Sequence, residues 1–320
     1  MNSLTKHVGT SPALESVLRN ARMVAVTNVT VLILGETGTG KELLTDAIQK
    51  NSPRATQPFI KINCAALQES LAESELFGHT KGAFTGALTD SAGKLKAADG
   101  GTVFLDEIDS LEMSLQGKLL RFLESGECQA VGKTYPDKVD VRIITATNTN
   151  LNNKVSQGLF RKDLFYRLNV VPLELPALRE RGSDINSLID HFIGVTAKQH
   201  NLAKPTLTKA AYSRLKSYRW PGNVRELKNV CERLCILRQG QTIDIGNLPM
   251  EITVTPSSST QDGFSLPEKG IDLEVLEKDL ICQALSRTNG NRSKSARLLG
   301  ISRDTMLYRI TKHDLGTCMK

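Results

Sequence analysis

The run VTVLILGETGTGKELLTDAIQK, residues 29–50, restricts this chain more than any other stretch. A short apolar, β-branched run passes directly into a glycine-rich turn and then into a helical repeat. A strand that ends this way must be rejoined by a crossover, which predicts an α/β fold with a parallel sheet. Gly35, Glu36, Thr37, Gly38, Thr39, Gly40, Lys41 and Glu42 fit GxxxxGK with a strand before and a helix after. In such a P-loop the backbone N–H groups curl around phosphate oxygens at a helix N-terminus, and Lys41 reaches the terminal phosphates. Glu42 stands where a hydroxyl usually ligates magnesium, so metal ligation must rest more on other groups.

Further strand patterns lie at PFIKIN (58–63), GTVFLDE (101–107), DVRIITAT (140–147) and VVPLEL (170–175), with amphipathic helical patterns between most of them. The segment GGTVFLDEI brings Asp106 and Glu107 to the C-terminal edge of the sheet beside the P-loop. Asp106 is expected to hold magnesium directly or through water, and Glu107 to polarise an attacking water. Asn63 and the pair Thr147-Asn148 end neighbouring strands at the same edge; each position suits a turn former as well as a site residue. After LPALRERGSD the strand signal stops and three helical patterns follow, beginning INSLIDHF, TKAAYSRL and NVRELKNV, with Ser183 placed as N-cap of the first. PSSSTQDG (256–263) reads as a linker, and a compact helical segment from about residue 271 closes the chain.

Composition excludes several classes. No apolar run is long enough to span a membrane, and the first residues carry no signal-peptide stretch, so a cytoplasmic protein is expected. Cys64, Cys128, Cys231, Cys235, Cys282 and Cys318 form no CxxC pair and have no histidine partners at zinc spacing, which predicts free thiols. Cys231 and Cys235 lie one helical turn apart, as on a packed helix face. The net charge is +7, and residues 281–320 hold eight Lys and Arg against two Asp, a surplus of six. A nearly neutral body with a small basic tail points to a polyanion partner at that end.

Within the tail, Asn291 caps one expected helix, Gly300 makes the turn and Ser302 caps a second. Ala296, Leu298, Leu299, Ile301, Met306 and Ile310 form the expected core of this helix-turn-helix. Arg303, Thr305, Tyr308 and Arg309 are then available to a major groove, with Arg292 and Lys294 near phosphates. The stretch GAFTGA, comprising Gly82, Ala83, Phe84, Thr85, Gly86 and Ala87, surrounds one aromatic with small residues. It fits a tight turn whose aromatic tucks back into the core.

Together GETGTGKE, ELFGHTKGAFTGA, GGTVFLDEI, FRKDLFYRLNVVPLELPALRER, WPGNVRELKN and the C-terminal helix-turn-helix resemble the bacterial enhancer-binding proteins, the AAA+ activators of sigma-54 RNA polymerase. The likeness runs over nearly the whole chain, and Glu42 agrees with it, since GKE is the family's usual reading. It implies an α/β AAA+ subdomain over 1–178, a helical lid over 179–250, a linker over 251–270 and a Fis-type helix-turn-helix over 271–320. ATP and Mg2+ would be the cofactors, and ATP hydrolysis the activity. Asn63 looks like the switch that holds Glu107 away from water, Thr147 and Asn148 fall at sensor 1, and Arg225 at sensor 2. Arg161 and Arg167 match arginines that reach a neighbouring subunit's site, which requires a ring, usually a hexamer. GAFTGA would then tip a loop that touches sigma-54, with residues 126–140 as a second, supporting loop. The Fis-type unit would dimerise on palindromic enhancer DNA. With the P-loop about 35 residues from Met1, control in trans by an inhibitory or co-activator protein, or by expression level, is expected, or else a shortened chain. Two other readings are a DNA-binding repressor without a motor, and an AAA+ machine acting on DNA; the latter predicts basic residues where Phe84 stands.

Overall fold

A computed structural model describes residues 9–253, 270–313 and 315. It divides into two compact units, Met1–Thr255 and Pro256–Lys320. All five expected strands form: β1 (Val31–Leu34), β2 (Phe59–Asn63), β3 (Thr102–Asp106), β4 (Arg142–Thr147) and β5 (Val171–Glu174). They make one parallel sheet in the order β2-β3-β4-β1-β5. The order leaves β1 between β4 and β5, with Leu34 level with Thr147 and Glu174. Asn63 is likewise level with Asp106. The sheet's C-terminal edge therefore gathers the polar strand ends.

Strand alternation sends successive side chains to opposite faces, and both faces are covered. Val31, Ile33, Phe104, Ile144 and Leu173 pack with α1 (Pro12–Ala25) and α2 (Lys41–Lys50) through Leu14, Leu18, Leu44 and Ile48. Leu32, Val103, Leu105 and Ile143 face the other layer, where α3 (Met113–Ser125) and α4 (Lys162–Leu168) contribute Leu115, Leu119, Phe122 and Leu164. The buried Arg142 guanidinium donates to the Val24 and Ala25 carbonyls, a cation set at the C-terminus of α1. Burial lowers its pKa to about 10, which leaves it charged at neutral pH.

The lid helices are α5 (Asp184–Gln199), α6 (Lys209–Ser217) and α7 (Asn223–Leu237). Trp220 lies at their centre, fully buried, donating from Nε1 to the Leu215 carbonyl and meeting Tyr218 edge-on. Cys231 and Cys235 are buried on the packed face of α7, as their spacing implied. Three expectations need correction. Ser183 stands at the N-cap of α5 but its side chain makes no capping bond. Its neighbour Asp184 instead accepts from the N–H groups of Thr10 and Ser11, the Ser11 hydroxyl and Arg181 Nε, tying the start of α1 to the lid. A two-residue parallel ladder, Thr206–Leu207 with Thr242–Ile243, also extends strand structure into the lid. Finally, Met250–Thr253 is helical and Ile252 belongs to the lid core, so the expected linker does not begin at 251. Its remainder, residues 254–269, lies outside the described residues.

The described residues of the second unit include α8 (Leu273–Arg287), α9 (Arg292–Leu298) and α10 (Arg303–Lys312). Asn291 accepts from Lys294 N–H and Ser302 from Thr305 N–H, so both expected caps are made. Gly300 has a φ of 65°, the left-handed conformation of a turn between helices. Ala296, Met306 and Ile310 pack with Ile281, Leu285 and Leu315, while Leu299 and Ile301 are partly buried. Leu298 is the exception, 59% exposed: α9 turns it away from the side that meets α8 and α10.

Candidate functional site

The P-loop turns on Gly35, Gly38 and Gly40, all with positive φ, and delivers Lys41 as the first residue of α2. Lys41 Nζ donates to the Gly35 and Glu36 carbonyls at 2.8 and 3.2 Å. Burial pulls this ammonium below its usual pKa, and the nearby carboxylates of Asp106 and Glu107 oppose the shift. Asp106 accepts from the Glu107 N–H at 2.9 Å. Glu107 itself sits at φ 53°, a left-handed conformation unusual outside glycine and one that clusters at active sites. The P-loop, lysine and two carboxylates are thus brought together as the sequence implied.

At the same edge Asp106 is the residue that would hold a magnesium ion brought in with phosphate oxygens and water. No group of three or more His, Cys, Asp and Glu that could hold a metal occurs among the described residues, so the nucleotide would have to supply much of the coordination. Glu42 pairs with Lys61 at 2.8 Å, and Lys61 also binds Asp46 at 2.6 Å. Asn63 Oδ1 accepts from the Ala65 N–H, the local turn contact, with the residue beside Asp106 on the neighbouring strand.

Thr147 and Asn148 diverge in role. Thr147 is buried and donates to Asp109 Oδ1 at 2.6 Å, and Lys154 pairs with the same carboxylate. Asn148 donates to Thr37 Oγ1 at 2.9 Å, directly against the P-loop. From the lid, Arg225 donates its backbone N–H to the Gly38 carbonyl at 3.3 Å. Arg179 clamps both Glu36 oxygens at 2.9 and 2.6 Å, and the Asn223 amide reaches Glu36 and the Thr37 carbonyl. Asp109, Arg179 and Asn223 escaped the sequence reading. The third acid in DEID was a signal for Asp109; nothing local marked Arg179 or Asn223.

Gly38 shows how tightly lid and loop meet. A Cβ there would overlap the Gly222 carbonyl and touch Arg225 Cβ, at a φ of 80° that side chains resist. Gly38→Ala is expected to weaken nucleotide binding by about tenfold or more, since left-handed strain alone costs about 1–2 kcal/mol. Titration with a fluorescent ADP analogue measures it.

The Arg179 guanidinium and Asn223 lower the Glu36 pKa from 4.5 to about 2. A depressed carboxylate stabilises the fold above its ordinary value and loses that contribution as pH falls toward the folded value. The melting temperatures of the parent chain and Glu36→Gln are therefore expected to differ at neutral pH and to converge as pH falls from 4.5 to about 2.

Arg161 and Arg167 stand at opposite ends of α4. Arg161 is the N-cap of α4 and pairs with Asp163, while Arg167 lies in the last turn and donates to the Leu123 carbonyl. Within this chain both are engaged outside the P-loop.

The GAFTGA turn is closed by Gly82 N–H to the Ala87 carbonyl and Ala87 N–H to the Phe84 carbonyl. Phe84 folds back edge-on against His79, with ring centroids 5.0 Å apart, and His79 is itself bonded to Ser74. The aromatic is half-buried; Thr85 is exposed and Leu88 is 81% exposed. Within residues 126–140, Glu127–Cys128 pairs as a hairpin with Asp137–Lys138. Its Val131 bonds to Gly78 and Thr80, and a Cβ on Gly132 would meet Thr80 Oγ1 and Ala83.

Residues 7–174 match the model of the sigma-54 interaction domain. The chain belongs to the sigma-54 interaction domain family. Residues 179–263 match the AAA+ ATPase lid domain, and residues 272–313 the Fis family of bacterial regulatory proteins. Among this family's members, the nitrogen fixation protein AnfA of Azotobacter vinelandii is 46% identical over 309 residues, covering 97% of this chain and 57% of its own length. The transcriptional regulatory protein ZraR of Salmonella typhimurium is 45% identical, covering 95% of this chain and 68% of its own. The chain thus spans 57–68% of the length of these relatives. A crystal structure of Brucella abortus NtrX in complex with ATP aligns with a TM-score of 0.71 at 35% identity, over 96% of this chain and 68% of that one. No helix among the described residues is long and apolar enough to cross a membrane.

In the Fis-family unit, Arg292, Lys294, Arg303 and Tyr308 are exposed, as a nucleic-acid face requires. Thr305 is half-buried, sharing a 2.7 Å hydroxyl contact with Ser302 at the start of α10. Arg309 is half-buried, and its guanidinium pairs with Glu277 on α8, which lies across from the last turn of α10. Arg303→Ala is expected to weaken binding of a DNA duplex by about 1–3 kcal/mol, and Arg309→Ala by less, in anisotropy titrations at fixed salt.

Proposed function

We propose that this chain is an ATPase that works from enhancer DNA and remodels sigma-54 RNA polymerase from the closed to the open promoter complex. The observation that carries the reading is the covalent route from the nucleotide edge to the GAFTGA loop. β2 ends at Asn63 beside Asp106, and only the turn Cys64–Ala66 and the helix Glu69–Phe77 separate it from Gly78. A displacement at Asn63 is handed to the loop over that short path. Glu107 accepts the proton of the attacking water, and Lys41 balances charge on the terminal phosphates. Magnesium, when bound with the nucleotide, supplies further charge neutralisation, and Asp106 is the residue that would hold it.

Arg161 and Arg167 act in this proposal on the site of a neighbouring copy, in a ring that is usually a hexamer. Their ties to Asp163 and the Leu123 carbonyl are solvent-exposed and readily exchanged. On α8, Leu273 and Leu280 are exposed and Leu276 is half-buried, one stripe at helical spacing that suits pairing of two copies on palindromic DNA. Open-complex formation at a sigma-54 promoter by the purified chain with ATP, with a sigma-70 promoter as control, tests the reading. Opening at the first alone supports it. ATP hydrolysis without opening at either refutes it.

A further inference from the structure

Asn223 is fully buried and has a φ of 51°, a left-handed conformation that asparagine tolerates better than most residues. Its one side chain serves three groups from two distant segments. Oδ1 accepts from the Leu178 N–H at 2.8 Å, and Nδ2 donates to the Thr37 carbonyl at 3.0 Å and to Glu36 Oε2 at 3.1 Å. The other carboxylate contacts of Glu36 come from Arg179, on the turn that follows Leu178.

The peptide geometry gives this network a direction. In a trans peptide the C=O and the following N–H point opposite ways in one plane. Asn223 holds the Thr37 carbonyl toward the lid, so the Gly38 N–H is turned away from the lid. Gly38 lies in the loop whose N–H groups serve as phosphate donors. The Arg225 N–H holds the next carbonyl, that of Gly38, toward the lid as well.

We propose that Asn223 is a positioning residue for nucleotide binding: through the Thr37 carbonyl and Glu36 it aims the Gly38 N–H into the phosphate loop, so that the loop is preorganised only while the lid is docked. This rests on the nucleotide-hydrolysing reading above. It separates two lid roles, since Asn223 acts on the loop and not on the nucleotide. Preorganised donors raise affinity without touching the proton transfer at Glu107.

Asn223→Asp keeps the side chain's shape but sets a carboxylate against the Thr37 carbonyl and Glu36. The ATP Kd and KM are expected to rise together by about tenfold or more, with kcat at saturating ATP kept within about threefold. Hydrogen exchange of the peptide 35–41 in the nucleotide-free protein should quicken, and Glu36→Gln in the same chain should recover part of the lost affinity. Unchanged affinity and exchange would overturn the proposal, as would a loss of kcat equal to the rise in KM. If Asn223→Asp does not fold, Glu36→Ala decides: a rise in Kd of about threefold or more supports the proposal, and parent-like affinity overturns it. A parent chain that binds no ATP would refute the underlying ATPase reading, whatever the variants do.

Discussion

Replacing Glu107 with Gln is expected to slow ATP hydrolysis by about 10²–10⁴-fold while ATP remains bound, because the substitution removes a general base and little else. Glutamine has the same shape, and the conformation of residue 107 is held by its surroundings. The Glu107 carbonyl accepts from the Ser110 N–H at 2.9 Å, and its own N–H is fixed by Asp106. Two residues on, Asp109 is locked by Thr147 and Lys154, which anchors the turn to β4 and to the helix Leu151–Ser156. The strained φ of 53° therefore survives the change. Single-turnover hydrolysis beside an equilibrium binding titration measures both halves. A variant that keeps more than about a tenth of the parent rate would remove Glu107 from the role of base.

Trp220→Ala is expected to destabilise the lid by about 3–5 kcal/mol, the usual cost of truncating a fully buried tryptophan. The ring fills the centre of α5, α6 and α7, and its N–H holds the end of α6 at the Leu215 carbonyl. Trp220 also has a φ of 52°, an outlier for so bulky a residue, which packing and the edge contact with Tyr218 maintain. Three residues later comes Asn223, so the turn that the ring supports is the turn that grips the P-loop. Chemical denaturation followed by circular dichroism should show the loss in the first unit, with the helices of residues 273–312 unchanged. Trp220 is the chain's one tryptophan, so the parent's fluorescence reports on this same region. A loss below about 1 kcal/mol would mean that backbone bonds, and not the ring, hold the turn.

The parts of this molecule that were legible in the sequence are those set by local chemistry. The short apolar, β-branched runs of VTVLIL and RIITAT placed strands with two buried faces, and the glycines of GETGTGKE placed the phosphate loop between strand and helix. Asn291 and Ser302 announced their caps because a cap is decided within three residues. The rest depends on groups far apart in the chain. Arg179 meets Glu36 across 143 positions, and Asn223 meets it across 187. Leu298 departs from the expected core for a related reason. Helical periodicity gives the spacing of side chains but not which face the neighbouring helices leave open, so Leu298 points outward and Arg309 finds Glu277. Phe84 answers to two descriptions at once. It tucks back as a turn residue would, on a loop whose glycines leave it free to do otherwise.

That tucked ring has a consequence for how the loop waits. An edge-on aromatic contact contributes about 0.5–1.5 kcal/mol beyond the area it buries, so leaving His79 costs Phe84 a factor of about 2–13 in population before the exposure of its half-buried ring is added. The share of molecules that already offer the phenylalanine outward is therefore less than about one in three. A partner with a slightly better apolar seat would capture the ring without forcing it, and when that seat vanished the ring would return unaided. The idle protein thereby keeps this ring stowed while leaving it able to turn outward.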